Sequence, residues 1–302
     1  MIRSFALVLL LGFELSYYLL IIQTGVVAHY HSDLIALFPM FAGGVTGTLA
    51  GGISWFGIKN PVYKIIIALC LQLYLSFYYP DYTPSMLFLL GLAVGVMAPL
   101  GIYLFKIKQT KELLLALAIA YSVGTYFFTF LVDERIWMAI LFTCIALSAA
   151  LLLRDYRVDT DKKIVSHPFT VYLPLMLWIF LDSNLFETLL RHEGLGIWSI
   201  YTFTIIAFHL LGLIVSRFIY ITQKNQHIFI AFLFGLSYLL SYLEYDLILA
   251  MVYPFTISYY NVIVFKTLSR EMNMFRLAFM MVFVGWAASG LGLAVALSRI
   301  LH

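Results

Sequence analysis

Residues 3–24 read RSFALVLLLGFELSYYLLIIQT, the first long apolar segment of the chain. About 20 mostly apolar residues are what an α-helix needs to cross the hydrocarbon core of a bilayer. The basic start is similar to a signal peptide, but Glu14 interrupts the apolar run and no convincing small-residue cleavage site follows it. We therefore expect this segment to be a first membrane-spanning helix.

The composition of the whole chain agrees with a membrane protein. Hydrophobic residues make up 63% of the 302 residues and only 11% are charged, against about 25% in a typical soluble domain. A soluble protein of this length has too little polar surface to cover so much apolar area. The net charge of +3 is too small and too scattered for a nucleic-acid partner. The long apolar runs also exclude a transmembrane barrel, which shows short alternating segments.

Eleven segments have the length and apolarity of spanning helices, so the sequence predicts an all-α, polytopic membrane protein. They are residues 3–24, 33–56, 63–79, 84–106, 111–131, 136–154, 168–190, 195–217, 227–243, 247–267 and 274–299. Cys70 and Cys144 lie within apolar runs, and we expect both to be small core residues.

The positive charges predict the orientation of these segments, because lysine and arginine concentrate in cytoplasmic loops. When the segments alternate across the membrane, all 18 Lys and Arg residues except Arg135, Arg191 and Arg299 fall on one side. We therefore expect a cytoplasmic N-terminus and an outer C-terminus in the cytoplasmic (inner) membrane.

The helix pattern repeats after a shift of about 160 residues. GIYLFK at 101–106 then falls on NVIVFK at 261–266. Equivalent helices are six segments apart along the chain, so the two copies share one orientation and form a parallel repeat. The sequence therefore predicts a six-helix half (residues 1–156), a cytoplasmic linker (157–167) and a five-helix half (168–302).

The loop after the second segment reads GGISWFGIK at residues 51–59. Together with the parallel halves and the central basic loop, it resembles the major facilitator superfamily signature Gly-x-Leu-x-Asp-Arg-x-x-Gly-Arg/Lys. The first glycine and the final lysine match, whereas Trp55 replaces the acid and Phe56 the arginine. The chain is also shorter than that family and is predicted to lack its twelfth helix. The resemblance implies alternating access around a cavity that is lined by helices one, four, seven and ten.

Two acids lie deep within the predicted spans. Glu14 is ten residues and Asp182 eight residues from the outer end of its segment, or roughly 15 and 12 Å at 1.5 Å per residue. Their segments are repeat equivalents, and ionisable groups at such depth are functional candidates by default. A carboxyl group without a basic partner takes up a proton readily, which suits proton coupling or a cationic substrate. The alternative is a hydrogen-bonded packing role. Glu187 is expected near the outer surface, in contact with water.

Other polar and aromatic side chains are candidates for the walls of the same site. Some share a helix with one of the two acids, and others lie in segments eight and ten near the proline of the tenth. Ordinary packing is the alternative for each of them. They are Tyr17, Tyr18, Trp178, Asn184, His209, Ser258, Tyr259 and Asn261.

These features favour a monomeric secondary active transporter, not an enzyme, that moves a small neutral or cationic solute by proton-coupled alternating access. Its partners would be the solute or ion and the lipid bilayer, and we expect no cofactor. A metal ion or metal complex as substrate would require Glu14, Asp182 and His209 to converge. The alternatives are a membrane-embedded enzyme that processes a lipid or isoprenoid, and a non-transporting assembly or receptor subunit on a transporter-like scaffold.

Single cysteines in two loops test the predicted orientation. With Cys70 and Cys144 replaced by serine, Asp161→Cys is expected to react with a membrane-impermeant maleimide only from the cytoplasmic side. Glu134→Cys is expected to react only from outside, because the positive-inside assignment puts the two loops on opposite faces. Ala146→Cys, inside an apolar segment, is the unlabelled control. Labelling of both loops from one side would contradict the alternating map.

Overall fold

A computed structural model of the chain describes residues 2–30, 34–55, 57, 58, 60–105, 110–155, 168–192, 196–218, 223–271 and 273–300. Of these residues 88% are helical, and they form no β-strand. The predicted all-α class is therefore confirmed. The physical reason is that a bilayer offers no water to backbone N–H and C=O groups, and a helix pairs them within one segment.

Each of the eleven predicted segments contains at least one helix. The α-helices are α1 (Ile2–Tyr17), α2 (Val27–His29), α3 (Leu34–Gly52), α4 (Pro61–Ser76), α5 (Pro84–Leu104), α6 (Thr110–Phe127), α7 (Ile136–Leu152), α8 (Leu173–His192), α9 (Gly196–Ile200), α10 (Thr202–Phe218), α11 (Gln223–Tyr242), α12 (Asp246–Leu268), α13 (Met274–Met281) and α14 (Ala288–Ile300). Two π-helical stretches, Tyr18–Val26 and Val282–Ala287, join α1 to α2 and α13 to α14. The 3-10 turns Val132–Arg135 and Phe169–Val171 precede α7 and α8.

Within the described ranges, seven stretches are long and apolar enough to cross a membrane. They are Ile2–His29, Ile35–Gly52, Pro84–Leu104, Val132–Leu152, Phe169–Leu190, Asp246–Leu268 and Met274–Ser298. The helices α4 and α10 are apolar but shorter. These long apolar helices indicate an integral membrane protein. The count of eleven spans, the parallel repeat and the orientation of the termini remain predictions.

The local sequence determines where α4 and α5 begin. Asn60 and Thr83 immediately precede these helices, and their side-chain oxygens accept hydrogen bonds from backbone N–H groups of the first turn. Pro61 and Pro84 occupy the first helical position, where the N–H that proline lacks is not needed. Polar loop residues thus set the starts of both helices close to the predicted positions.

The chain forms two compact units. Unit 1 comprises Met1–Ala120, Phe130–His167 and Lys266–Val282, and unit 2 comprises Tyr121–Thr129, Pro168–Phe265 and Phe283–His302. Unit 1 contains α1 to α5, α7 and α13, whereas unit 2 contains α8 to α11 and most of α12 and α14. The division into a six-helix and a five-helix half remains a prediction, and its linker, residues 157–167, lies outside the described residues.

In unit 1, α3 and α5 approach each other through glycines. Gly43 and Gly47 of α3 face the backbone of α5, and Gly91 and Gly95 of α5 face the backbone of α3. A Cβ atom on any of these four glycines would overlap a carbonyl oxygen of the facing helix. Since lipid gives little hydrophobic force between helices, such close packing is a main source of their association.

A buried arginine stabilises the π-helical stretch of the first span in unit 1. Arg135 is 2% exposed, and its Nη1 donates to the carbonyl oxygens of Leu20 at 3.3 Å and Thr24 at 3.0 Å. The Nε atom donates to the carbonyl of Phe130 at 3.0 Å. The π turn redirects backbone carbonyls, and the guanidinium supplies several donors to them. The sequence shows Arg135 only as a charge in a loop, whereas in the fold it joins the loop before α7 to the π-helical stretch Tyr18–Val26.

The two cysteines are on the outside of their helices. Cys70 in α4 and Cys144 in α7 are both exposed, so the expectation of two core residues is wrong. A lipid-facing helix surface is as apolar as a helix interface. An apolar sequence context therefore does not separate a core position from a lipid-facing one.

The glycine contact between α3 and α5 gives a stability prediction. Gly47→Ala and Gly91→Ala are each expected to lower the free energy of unfolding by about 1–3 kcal/mol, because the new methyl group forces two backbones apart. Gly235→Ala in α11 is the matched control, since no atom lies within 4 Å of its added Cβ and alanine favours helix. Thermal unfolding of the purified variants measures the difference. Equal melting temperatures for all three would contradict the close contact.

Candidate functional site

Glu14 belongs to a buried polar cluster of unit 1. Its side chain is 7% exposed, and Oε2 accepts a hydrogen bond from Nε2 of Gln72 at 3.1 Å. The same Nε2 lies 3.1 Å from Oγ1 of Thr143, whose hydroxyl donates to the carbonyl of Ala139 at 2.8 Å. One amide group thus connects α1, α4 and α7 at the position of the predicted acid.

The tyrosines that follow Glu14 have different surroundings. Tyr17 is fully buried, and its hydroxyl forms a 3.3 Å hydrogen bond with Oγ of Ser76 in α4. Ser76 in turn donates to the backbone carbonyl of Gln72 at 2.8 Å. Tyr18 is half-buried and begins the π-helical stretch. Tyr17 therefore extends the Glu14 cluster by one turn along α4, and Gln72 makes the hydrogen bond to the carboxyl group.

Asp182 of unit 2 is held by two tyrosines from α12. The hydroxyl of Tyr253 donates to Oδ1 at 2.8 Å and that of Tyr260 to Oδ2 at 2.5 Å. Both tyrosines are buried, at 0% and 2% exposure, whereas Asp182 keeps intermediate exposure. Seven residues are about two helical turns, so both hydroxyls project from one face of α12. The result is a carboxyl group that two hydroxyls fix in orientation.

The two residues after Asp182 connect α8 to other helices of unit 2. Ser183 donates to the carbonyl of Ser289 at 2.9 Å, and Nδ2 of Asn184 donates to that of Gly292 at 3.3 Å. The hydroxyl of Tyr238 in α11 lies 3.0 Å from Oδ1 of Asn184. Asn184 is thus in the neighbourhood of Asp182, as the sequence places it, but it pairs with α11 and α14.

His209 and the tenth predicted segment meet in the same unit. Nδ1 of His209 lies 2.7 Å from Oγ of Ser258, and its ring stacks on Tyr121 with centroids 4.4 Å apart. Asn261 is within hydrogen-bonding reach of both Tyr121 and Tyr260. A chain of polar side chains therefore runs from Asp182 through Tyr260, Asn261 and Tyr121 to His209.

Trp178 and Tyr259 have mainly aromatic neighbours. Trp178 is 2% exposed, and its ring centroid is 5.0 Å from that of His227 in α11. Tyr259 is fully buried, with its ring 5.3 Å from Phe229 and 6.0 Å from Phe255. These contacts belong to the packing of α8, α11 and α12, next to the Asp182 cluster.

Glu187 is a correction to the sequence analysis. It was expected in contact with water near the outer surface, but only 2% of it is exposed. It follows Asn184 by three residues, which puts both on one side of α8. Depth along a helix does not tell whether a side chain faces water or a neighbouring helix, and here it faces the protein.

The sequence analysis missed the partners of the two acids. In unit 1 the direct partner is Gln72, to which Thr143 is bonded. In unit 2 Tyr121 is linked through Asn261, and the direct partners are Tyr253 and Tyr260. One signal was available for the last two, because a seven-residue spacing around Pro254 gives one helical face. For Gln72 the only sequence signal was an amide side chain within an otherwise apolar helix. Nothing in the sequence connects it to a position 58 residues away.

A metal site was one of the open possibilities. Among the described residues, no group of three or more His, Cys, Asp or Glu side chains lies close enough together to hold a metal ion.

No protein-family model matches the chain, and no curated protein is significantly similar to it. The resemblance to the major facilitator superfamily therefore remains a prediction from the motif and the helix pattern.

Tyr253 and Tyr260 form a tyrosine clamp that holds the Asp182 carboxyl group, and this clamp gives a second stability prediction. Tyr253→Phe and Tyr260→Phe are each expected to lower the free energy of unfolding by about 1–2 kcal/mol, since each removes one hydrogen bond to a carboxyl group in an apolar environment. Tyr242→Phe, at a site that is 84% exposed, is the matched control. Chemical denaturation in a fixed detergent measures all three. If the free energy of unfolding falls no more in these two variants than in Tyr242→Phe, the clamp contributes nothing to stability.

Proposed function

We propose that the protein is a secondary active transporter that moves a small neutral or cationic solute across the cytoplasmic membrane by proton-coupled alternating access. The observation that carries this proposal is the Asp182 carboxyl group, which two tyrosine hydroxyls hold within the candidate span Phe169–Leu190. A carboxylate in this environment is costly, so a protein that keeps one there has a use for it. The transporter acts as a monomer and needs no cofactor in this proposal.

The surroundings of Asp182 favour a neutral or cationic solute. Its immediate neighbours are the hydroxyls of Tyr253 and Tyr260, with Asn261 next to them. A cation gains from the carboxylate and from the faces of nearby aromatic rings. A neutral solute with hydroxyl or amide groups can exchange hydrogen bonds with the same tyrosines. An anion would meet only repulsion at the carboxylate.

Two carboxyl groups in apolar surroundings also support proton coupling. Glu14 in unit 1 and Asp182 in unit 2 each accept hydrogen bonds from neutral groups. Adding a proton removes a charge that is costly in an apolar medium, while losing it restores an acceptor for a cation or a donor group. The proton and the solute thus affect the same groups, which is what coupling requires.

The helices of the site have features that permit movement. Pro254 lies inside α12 between the two clamp tyrosines, and proline in a spanning helix frees a backbone carbonyl and allows a bend. Transporter sites are often formed where spanning helices are broken or bent. A bend at Pro254 would change the distance between Tyr253 and Tyr260 and so open or close the clamp.

Liposome transport tests the proposal. Protein reconstituted in liposomes is expected to take up radiolabelled cationic and neutral solutes faster when a pH gradient is imposed. Asp182→Asn and Glu14→Gln are each expected to reduce the gradient-driven rate at least tenfold, because they remove the group that exchanges the proton. Uptake is measured from a panel that contains amines, amino acids and sugars.

Two exposed acids provide the controls. Glu134→Gln and Asp155→Asn make the same chemical changes at exposed positions and are expected to leave the rate unchanged. Full activity of both Asp182→Asn and Glu14→Gln would exclude the coupling role. Failure of the wild type with every solute would favour a non-transporting subunit or a lipid-processing enzyme. In such a protein Asp182 and its tyrosines would serve only to pack α8 against α12.

A further inference from the structure

The amide of Gln72 is the least satisfied group next to Glu14. Its side chain is fully buried, and in the described part of the chain its Oε1 atom has no hydrogen-bond partner. Its Nε2 atom meanwhile serves two oxygens, Glu14 Oε2 and Thr143 Oγ1, both at 3.1 Å. A fully buried amide oxygen without a partner is unusual, and each such group calls for an explanation.

The two ends of a glutamine amide have nearly the same shape, so a half-turn about the last side-chain bond exchanges them. After that half-turn, Oε1 of Gln72 lies where Nε2 now is, about 3 Å from Glu14 Oε2 and from Thr143 Oγ1. The Thr143 hydroxyl already donates its proton to the carbonyl oxygen of Ala139. Its lone pairs are therefore free to face the space between Glu14 and Gln72. A carboxylate, an amide and a hydroxyl oxygen then converge.

We propose that Glu14, Gln72 and Thr143 form a binding site for a sodium-sized monovalent cation in unit 1, with the Gln72 amide turning over when the ion binds. Hard cations prefer oxygen ligands, and oxygens that share an ion of this size at roughly 2.4 Å lie about 3 Å from one another. The single carboxylate matches a single positive charge. This inference rests on the proposed function, because sodium would compete with the proton for the Glu14 carboxylate that couples transport.

The position of the site agrees with an ion that is bound away from bulk water. Glu14 is 7% exposed and both Gln72 and Thr143 are fully buried. The three residues come from α1, α4 and α7, so an ion bound between them would hold three helices of unit 1 together. Sodium is therefore expected to stabilise the protein, since a ligand that binds only the folded state shifts the unfolding equilibrium.

Thermal unfolding of the purified full-length protein in detergent tests the proposal. Sodium chloride is titrated against choline chloride at constant ionic strength and pH, with lithium and potassium chloride in parallel. The melting temperature is expected to rise by about 5 °C when sodium is in hundredfold excess over its dissociation constant. Potassium, which is larger, is expected to have a much smaller effect.

Variants that change single oxygens make the test specific. Glu14→Gln and Gln72→Met are expected to abolish the sodium shift, and Thr143→Val to weaken sodium affinity about tenfold. Thr143→Ser keeps the hydroxyl and is expected to restore most of the affinity. Thr48→Val is the control: it removes a buried hydroxyl that donates to Gly95 elsewhere in unit 1, and it is expected to keep the full sodium shift. If Gln72→Met does not fold, the comparison of Thr143→Val with Thr143→Ser still tests the site.

Two outcomes overturn the inference. One is a wild-type melting temperature that does not differ between sodium and choline. The other is a sodium shift that survives in both Glu14→Gln and Thr143→Val. Uptake that is driven by a pH gradient, lost in Glu14→Gln and insensitive to sodium would leave the proposed transport function standing while the sodium site fails. Sodium binding by a protein that transports no solute of the panel would support the sodium site and count against the proposed transport function.

Discussion

The structure depends on one constraint, the cost of leaving a polar group without a partner in apolar surroundings. The backbone meets it by forming helices almost throughout. Several polar side chains inside the units meet it by bonding to other helices. Asp182 takes two tyrosine hydroxyls, Glu14 takes the Gln72 amide, and Arg135 takes carbonyls that the π-helical stretch makes available. Each of these bonds joins segments that are distant in sequence, so the polar groups also act as cross-links of the fold.

Close backbone contact is the main feature of one helix pair. The glycines of α3 and α5 bring two backbones together, and the Thr48 hydroxyl of α3 adds a hydrogen bond to the carbonyl of Gly95 in α5. This contact is rigid because it leaves no free volume. The Glu14 cluster, by contrast, contains the Gln72 amide, which is proposed to turn over when an ion binds. Unit 1 therefore has a fixed pair, α3 and α5, beside an adjustable group, α1, α4 and α7. Ion or solute binding is expected to act on the adjustable group.

The sequence predicted helix positions well and side-chain environments unevenly. The start of α5 at Pro84 and the burial of Glu14 agree with expectation, because proline capping and apolar periodicity are local properties. Glu187, Cys70 and Cys144 were assigned to the wrong surroundings. In a membrane protein an apolar helix has two apolar directions, lipid and protein, and no local pattern distinguishes them. The same limit of local patterns applies to the binding site, because a site depends on which side chains from different helices come together.

The sequence by itself determined that this is a helical membrane protein and that Glu14 and Asp182 are the acids to examine. Charge scarcity and apolar run length are sufficient for both, because the bilayer penalises any other arrangement. Only the tertiary structure decided the partners: Gln72, itself bonded to Thr143, for Glu14, and Tyr253 and Tyr260 for Asp182. These contacts join different helices over 58 to 78 positions in sequence. Their choice follows from how the helices are rotated and packed against each other, which is a property of the assembled fold.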